Sequence, residues 1–355
     1  MDEMDYTKTL KKLYKAPELN ASLIIETFKR REGISVIVEE VDVGKPGFKI
    51  TIDESNFLLL KHPIEHFNIK WGRATSIQSR MLPYGIPIPL YLGQGDMSKS
   101  FHKAITSQSP DTAVEKWLYD IFEIDLAAAY FLNYFSKSEA LKDYRLIILE
   151  AIESFYMGLD HAAIMSLIPV FEGGLRNLQN LVLDEDKGNV SGAVFEKRLR
   201  AILKHWGSRR VSDYNWHPGM YGIDSIEVDF YTHICPQSDV INCFRLFFKN
   251  VLYKPTESHN EGFNRHIIVH MLGNNFNRAT NFFRIFLALT HITFIESLTS
   301  EHVPFFWRGY DDESRRLGQY LKQISEIMDG RRSLIKSFGV PGYPSTSLPL
   351  YQSPS

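Results

Sequence analysis

Cysteine is almost missing from this chain: two of 355 residues, Cys235 and Cys243, eight positions apart. That excludes a disulfide scaffold, and without a Cys-x-x-Cys or Cys/His spacing it argues against a structural zinc site. Long apolar runs are missing too. The longest, 285–295, is interrupted by Thr290 and His291 and is too short to span a bilayer, so no membrane partner is expected. The first fifteen residues turn from acidic to basic with no apolar stretch of the signal-peptide kind. A cytoplasmic location is therefore expected, and the Asn-x-Ser matches at Asn20 and Asn189 are not read as glycosylation sites. Charge of one sign is not in excess either. The 40 Lys and Arg against 42 Asp and Glu exclude a strongly basic nucleic-acid wrapper and leave room for a local patch.

Several catalytic signatures are absent. There is no GxxxxGK[ST] phosphate loop, no HExxH and no GxSxG. Gly93-Gln94-Gly95 is only a fragment of a glycine-rich loop, and Pro110-Asp111 with Glu115 lacks the Glu-x-Lys of a metal-dependent nuclease. No metal and no other cofactor is expected.

What the chain does have is material for a core. Hydrophobic residues make up 44% and aromatics 13%, enough at this length, about two average domains, to fold without cross-links. Residues 1–110 read as a mixed α+β region. Asn20 can cap a helix over 19–31 that Gly33 ends, and Val/Ile-rich segments at 34–43 and 48–52 flank the turn Gly44-Lys45-Pro46-Gly47. Pro83, Pro87 and Pro89 exclude a helix over 81–95, which should run extended along a surface or groove. From 111 the texture turns helical, with segments expected at 111–122, 125–135, 141–156, 161–181, 191–206, 239–253, 264–273 and 277–298. In 161–181, Ile164, Leu167, Ile168, Phe171, Leu175 and Leu178 share one face.

Residues 207–237 read as a long loop, a kind that is often functional, in which Trp216, His217 and Tyr221 are candidates to line a cleft. The Pro/Ser-rich tail beyond 339 should be mobile. The expected organisation is an α+β region at 1–110, an all-α domain at 111–305 and a C-terminal helix with its tail at 306–355. The fold class is mainly α.

Chemistry concentrates at Asn264-Arg265-His266-Ile267-Ile268-Val269-His270. The Arg/His spacing alone decides nothing, since chance gives such a pattern about twice in a chain of this composition. It occurs at Arg200/His205, Arg210/His217, Arg265/His270 and Arg284/His291. On a helix, Ile267, Ile268, Met271 and Leu272 would form an apolar stripe and His266 and His270 would project from the other side. Asn264 would cap the helix and Arg265 would lie in its first turn, where free N–H groups and a guanidinium suit a phosphate. A solvated face fits the same residues. So does a pair of metal ligands, with His259 as the nearest third.

The Asn264–His270 segment resembles the Asn-Arg-His-x3-His form of the motif in the HEPN superfamily, the higher eukaryotes and prokaryotes nucleotide-binding domains. A second segment, Ala163 to Arg176 with Phe171-Glu172-Gly173-Gly174-Leu175-Arg176 at its end, is similar to a family helix that closes on Ile-Glu-Gly-x-Leu-Arg. The apolar 281–297 segment falls where the family's last long helix follows its motif. The resemblance covers 139–300. It implies an up-and-down helical bundle that forms a homodimer with a shared cleft and cleaves RNA without a metal, through attack of the 2′-OH on its own phosphodiester. Carried over residue by residue, Arg265 would stabilise charge on the phosphorane and His270 would act as general base or acid. Asn264 and His266 would orient these groups or bind phosphate, and Glu172 would help set the histidine's protonation; its alternative is a surface ion pair with Arg176. Met271 stands where relatives usually carry glycine. Family members commonly serve as toxins or in abortive-infection defence against phage, so an antitoxin or regulatory partner is also implied.

The most basic stretch is 196–210. A solvated face is its default, and with Trp206 its Lys197, Arg198, Arg200, Lys204, Arg209 and Arg210 are candidates to hold an RNA backbone and stack a base.

Overall fold

The computed structural model describes residues 6–62, 73–255, 263–272, 276 and 278–339, except the side chains of 329, 332, 333 and 336. Among these the chain is mainly helical, with one small sheet. The elements run α1 (Thr7–Tyr14), α2 (Ala21–Arg31), β1 (Ile37–Asp42), β2 (Pro46–Ile52), β3 (Ser55–Leu60), α3 (Ala74–Met81), α4 (Gln94–Ile105), α5 (Pro110–Asp120) and α6 (Ile124–Asn133). They continue with α7 (Arg145–Tyr156), α8 (Asp160–Leu183), α9 (Gly192–Ser208), α10 (Asp224–Ile234), α11 (Pro236–Phe247), α12 (Arg265–Val269), α13 (Ala279–Glu296) and α14 (Asp312–Ser337). The expected 19–31 helix is α2, with the Asn20 side chain accepting from Leu23 N at 2.9 Å. The tail from 340 lies outside the described residues.

Two compact units make up the chain: Met1–Ile77 with Lys197–Cys243, and Gln78–Glu196 with Phe244–Ser355. This division differs from a boundary near 110. The first unit takes only the first 77 residues of the expected α+β region and adds a stretch of the expected helical domain.

In the first unit β1, β2 and β3 form an antiparallel sheet in sequence order, with Asp42 opposite Pro46 and Ile52 opposite Ser55. Gly44, at φ +98, makes the first turn possible: a Cβ there would stand 2.5 Å from the Ile234 carbonyl oxygen. Phe48, Ile50 and Ile52 alternate onto the buried face of β2 and pack with Leu10, Leu13, Ile24 and Phe28 from the first two helices. The expected 207–237 loop is corrected here. It contains α10, and its start is pinned to β3 by Asn215 N to Asn56 O (2.7 Å) and Leu58 N to Trp216 O (2.9 Å). Trp216, His217 and Tyr221 are buried rather than cleft-lining. His217 accepts from Gly219 N, and burial pushes its pKa down to about 4.

The second unit is helix on helix. From Thr280 to Glu296, α13 is buried on every face, and it packs on α8 and α5. Helix α8 also packs on α7, and α14 on α6. Close approach along α8 requires the Gly173-Gly174 pair. A Cβ on Gly173 would meet the Tyr144 hydroxyl at 2.2 Å, and one on Gly174 would meet Leu141 at 2.3 Å. The segment after α3 makes one 3-10 turn, Leu82–Tyr84, and then runs without α-helix only to Gln94, where α4 begins inside the stretch expected to be helix-free. It is also interior, not superficial. Ile86, Ile88 and Leu90 are buried, so their backbone groups need partners. Gln78 supplies two, Nε2 to Ile86 O (2.9 Å) and Oε1 from Ile88 N (2.8 Å). His291 and the Tyr130 hydroxyl bond the carbonyls of Ile88 and Leu90.

Among the described residues no helix is long and apolar enough to cross a membrane.

Candidate active site

The residues of the motif lie in the second unit, on an element shorter than its periodicity suggested. Helix α12 is five residues long, and Ile267 and Ile268 fix it by burial, in contact with α8. The expected stripe stops there, with Met271 and Leu272 exposed. The reason is the backbone. His270 is the C-cap, Met271 turns left-handed at φ +52, and Met271 N to Ile268 O (3.3 Å) with Leu272 N to Ile267 O (3.0 Å) closes a Schellman motif. Met271 thus holds a backbone conformation that favours glycine with a methionine side chain on it.

Asn264 caps the helix as expected, its Oδ1 accepting from His266 N at 2.8 Å. Its Nδ2 donates to Lys254 O at 2.7 Å, so the buried carboxamide ties α12 to the turn that ends at Tyr253. One N–H at the helix start is therefore already satisfied. A single helical turn also sums few peptide dipoles, so the phosphate-at-a-helix-end argument loses most of its force here.

His266 and His270 are exposed, with ring centroids 4.5 Å apart and planes at 58°. This pairing follows from their i, i+4 spacing. Arg265 turns elsewhere. Its Nε donates to Glu172 Oε1 at 2.6 Å and its Nη2 to Oε2 at 3.4 Å. The alternative reading of Glu172, an ion pair with Arg176, gives way to this pair. The carboxylate accepts from Arg265 and from Tyr253, and no histidine bonds it among the described residues. Arg176 has its Nε buried without a described partner.

Tyr253 is the residue that sequence reasoning missed. Its hydroxyl donates to Glu172 Oε1, and the Arg265 guanidinium lies 5.9 Å from its ring centroid. Burial, then the bond to Glu172, raises its pKa and keeps the phenol protonated. Arg265's own hydrogen bond to Glu172 raises the pKa of Arg265. No local pattern marks Tyr253, since 81 residues separate it from Glu172.

The basic stretch lies in the first unit from Lys197 onward and does not present one face. Arg200 and Lys204 both pair with Asp224, and Lys204 also with Glu227. Arg198 is buried. Lys197, Arg209 and Arg210 are exposed, with the Arg209 guanidinium 4.0 Å from the Trp206 ring centroid. Half of the candidate cations are thus committed internally.

His259 lies outside the described residues. Among the described ones, no group of three or more His, Cys, Asp or Glu could hold a metal ion. Compared with known protein families, curated proteins and solved structures, the chain matches none.

Proposed function

We propose that this protein is a metal-independent endoribonuclease of the HEPN type, working as a homodimer. The observation that carries the reading is the exposed His266/His270 ring pair at 4.5 Å on a helix whose first residue is Arg265. Two imidazoles suit proton transfer near neutral pH, and a guanidinium suits the charge that grows on phosphorus. His270 accepts the proton of the 2′-OH as its oxygen attacks phosphorus. The 2′-O–P bond forms and the P–O5′ bond breaks. The leaving 5′-oxygen takes a proton from a second imidazole, leaving a 2′,3′-cyclic phosphate and a 5′-hydroxyl. Arg265 steadies the phosphorane, and Asn264 holds the turn on which all three stand.

The Arg265 and His270 side chains run to different partners within one chain, to Glu172 and to His266. Their joint action on one phosphate therefore calls for the partner subunit across a shared cleft. A toxin or abortive-infection effector restrained by a regulatory partner is the role that accompanies this activity.

One observation favours a second reading, a non-catalytic helical module that binds nucleotide or protein. The Glu172–Tyr253 hold on Arg265 is the arrangement of a structural arginine. An RNA-cleavage assay in EDTA separates the two. Cleavage with cyclic-phosphate ends, lost in both Arg265→Ala and His270→Ala, supports the nuclease. A dimer that cleaves no RNA transfers the assignment to the binding module.

A further inference from the structure

The carboxylate of Glu172 grips Arg265 from one side only. A guanidinium offers five N–H donors in a planar fork. The hydrogen bonds to Glu172 use Nε and Nη2, the side-on mode. The Nη1 end of the same fork takes no part in them. Arg265 keeps about 29% of its side chain exposed while the ion pair stays intact, so the side chain is not sealed from solvent.

What holds Glu172 in that pose is Tyr253, and Tyr253 is itself held on several sides. It follows a π-helical turn, Phe248–Leu252, a rare conformation found frequently at functional sites. Its N–H closes that turn on Phe248 O at 2.8 Å. Its ring stacks on Phe248 at 4.2 Å and lies so close to the backbone at Gly192 that a Cβ there would stand 2.5 Å from Cδ1. The hydroxyl is therefore delivered to Glu172 Oε1 by a rigid support. A second guanidinium adds to the positive charge: Arg176 lies one turn along α8 from Glu172, and both Arg176 and Arg265 act electrostatically on Tyr253.

We infer that Tyr253 is a positioning residue: through Glu172 it fixes the Arg265 guanidinium side-on, so that N–H groups not engaged by Glu172 receive a non-bridging oxygen of an RNA phosphate. The inference rests on the nucleic-acid reading of this site and adds the device that aims its arginine. Positioning of this kind acts only through Arg265, which separates it from general support of the fold.

The test is a double-mutant cycle on the full-length protein. Binding of a 2′-O-methyl oligoribonucleotide, which cannot be cleaved, is read by fluorescence anisotropy at salt low enough to keep Arg265→Ala binding measurable. Cleavage of the unmodified RNA is read alongside. Tyr253→Phe keeps the ring and removes the hydroxyl. It should weaken binding about tenfold, the scale of one charge-assisted hydrogen bond, and lower kcat with the melting temperature nearly unchanged. Glu172→Gln should do the same. In the Arg265→Ala background, Tyr253→Phe should change neither quantity. An equal effect in both backgrounds, no effect in either, or a parent protein that does not bind the oligonucleotide overturns the inference. Coupled binding without any cleavage upholds the positioning role and rejects the ribonuclease reading.

Discussion

Arg265/His270 and Arg284/His291 belong to the same compact unit and to the same loose sequence pattern, and the fold uses them in opposite ways. The second pair sits on α13, which is buried on every face. Arg284 has 5% of its surface exposed and His291 none. Arg284 pairs with Glu115 and bonds Thr280 Oγ1 (2.9 Å), Asn281 Oδ1 (3.0 Å) and Tyr84 O (3.1 Å). His291 Nε2 bonds Ile88 O at 2.9 Å and its ring stacks on Phe244. These polar groups fasten a proline-rich interior segment to the core helix. The first pair sits on a five-residue helix with only two buried residues, which leaves its histidines in solvent. Burial of the carrying helix, not spacing, separates a structural arginine and histidine from candidates for chemistry.

Four measurements would break or sharpen that contrast. The largest effect expected is on activity: His270→Ala and Arg265→Ala should each cut RNA cleavage by about 10²–10⁴-fold, His270→Ala with melting nearly unchanged and Arg265→Ala with some loss of stability because it strands the partly buried Glu172 carboxylate. If either variant instead unfolds while cleavage per folded molecule persists, the contrast collapses. Next comes stability. Arg284→Ala strands the Glu115 carboxylate and should cost about 3 kcal/mol, the lower end for a broken buried pair because Glu115 is partly exposed. Urea unfolding measures it, and a loss below about 1 kcal/mol would make Arg284 as dispensable as a surface residue.

The third is a pH effect. Burial holds the pKa of His291 down at about 4, against 6.5 for the free side chain. Above 6.5 both folded and unfolded forms are neutral and stability is intact. Between 6.5 and 4 only the unfolded chain takes the proton, so stability falls by up to about 1.4 kcal/mol per pH unit. His291→Gln should flatten that slope relative to the parent. Smallest is Met271→Gly. It removes an exposed side chain from a left-handed position, and relief of that strain should stabilise the protein by about 1 kcal/mol. A destabilised variant would show that Met271 makes contacts outweighing its backbone cost.

Much of the fold was legible. Helices 161–181 and 277–298 announced themselves by apolar residues at helical spacing, and Asn20 by its capping position, because these signals depend on neighbours within a turn or two. The prolines of 81–95 keep α-helix out of 82–93, with one 3-10 turn at Leu82–Tyr84, whereas the helix start at Gln94 and the burial of the segment carry no local signal. Interior placement depended on Gln78, Tyr130 and His291 meeting its carbonyls, and two of these are distant in sequence. The basic stretch misled for the same reason. Its charges are visible at 197–210, whereas the carboxylates that take up Arg200 and Lys204 lie at 224 and 227.

At the motif, the sequence by itself determined the residue set, the i, i+4 pairing of His266 with His270, and the cap at Asn264. All of these are short-range consequences of helical geometry. Only the tertiary structure decided that α12 lasts one turn, that Glu172 takes Arg265 and not Arg176, and that Tyr253 joins them. Those choices turn on groups 81 and 93 residues apart, which the packing of α8 against the elements after α11 brings together. No periodicity along the chain can encode such a meeting.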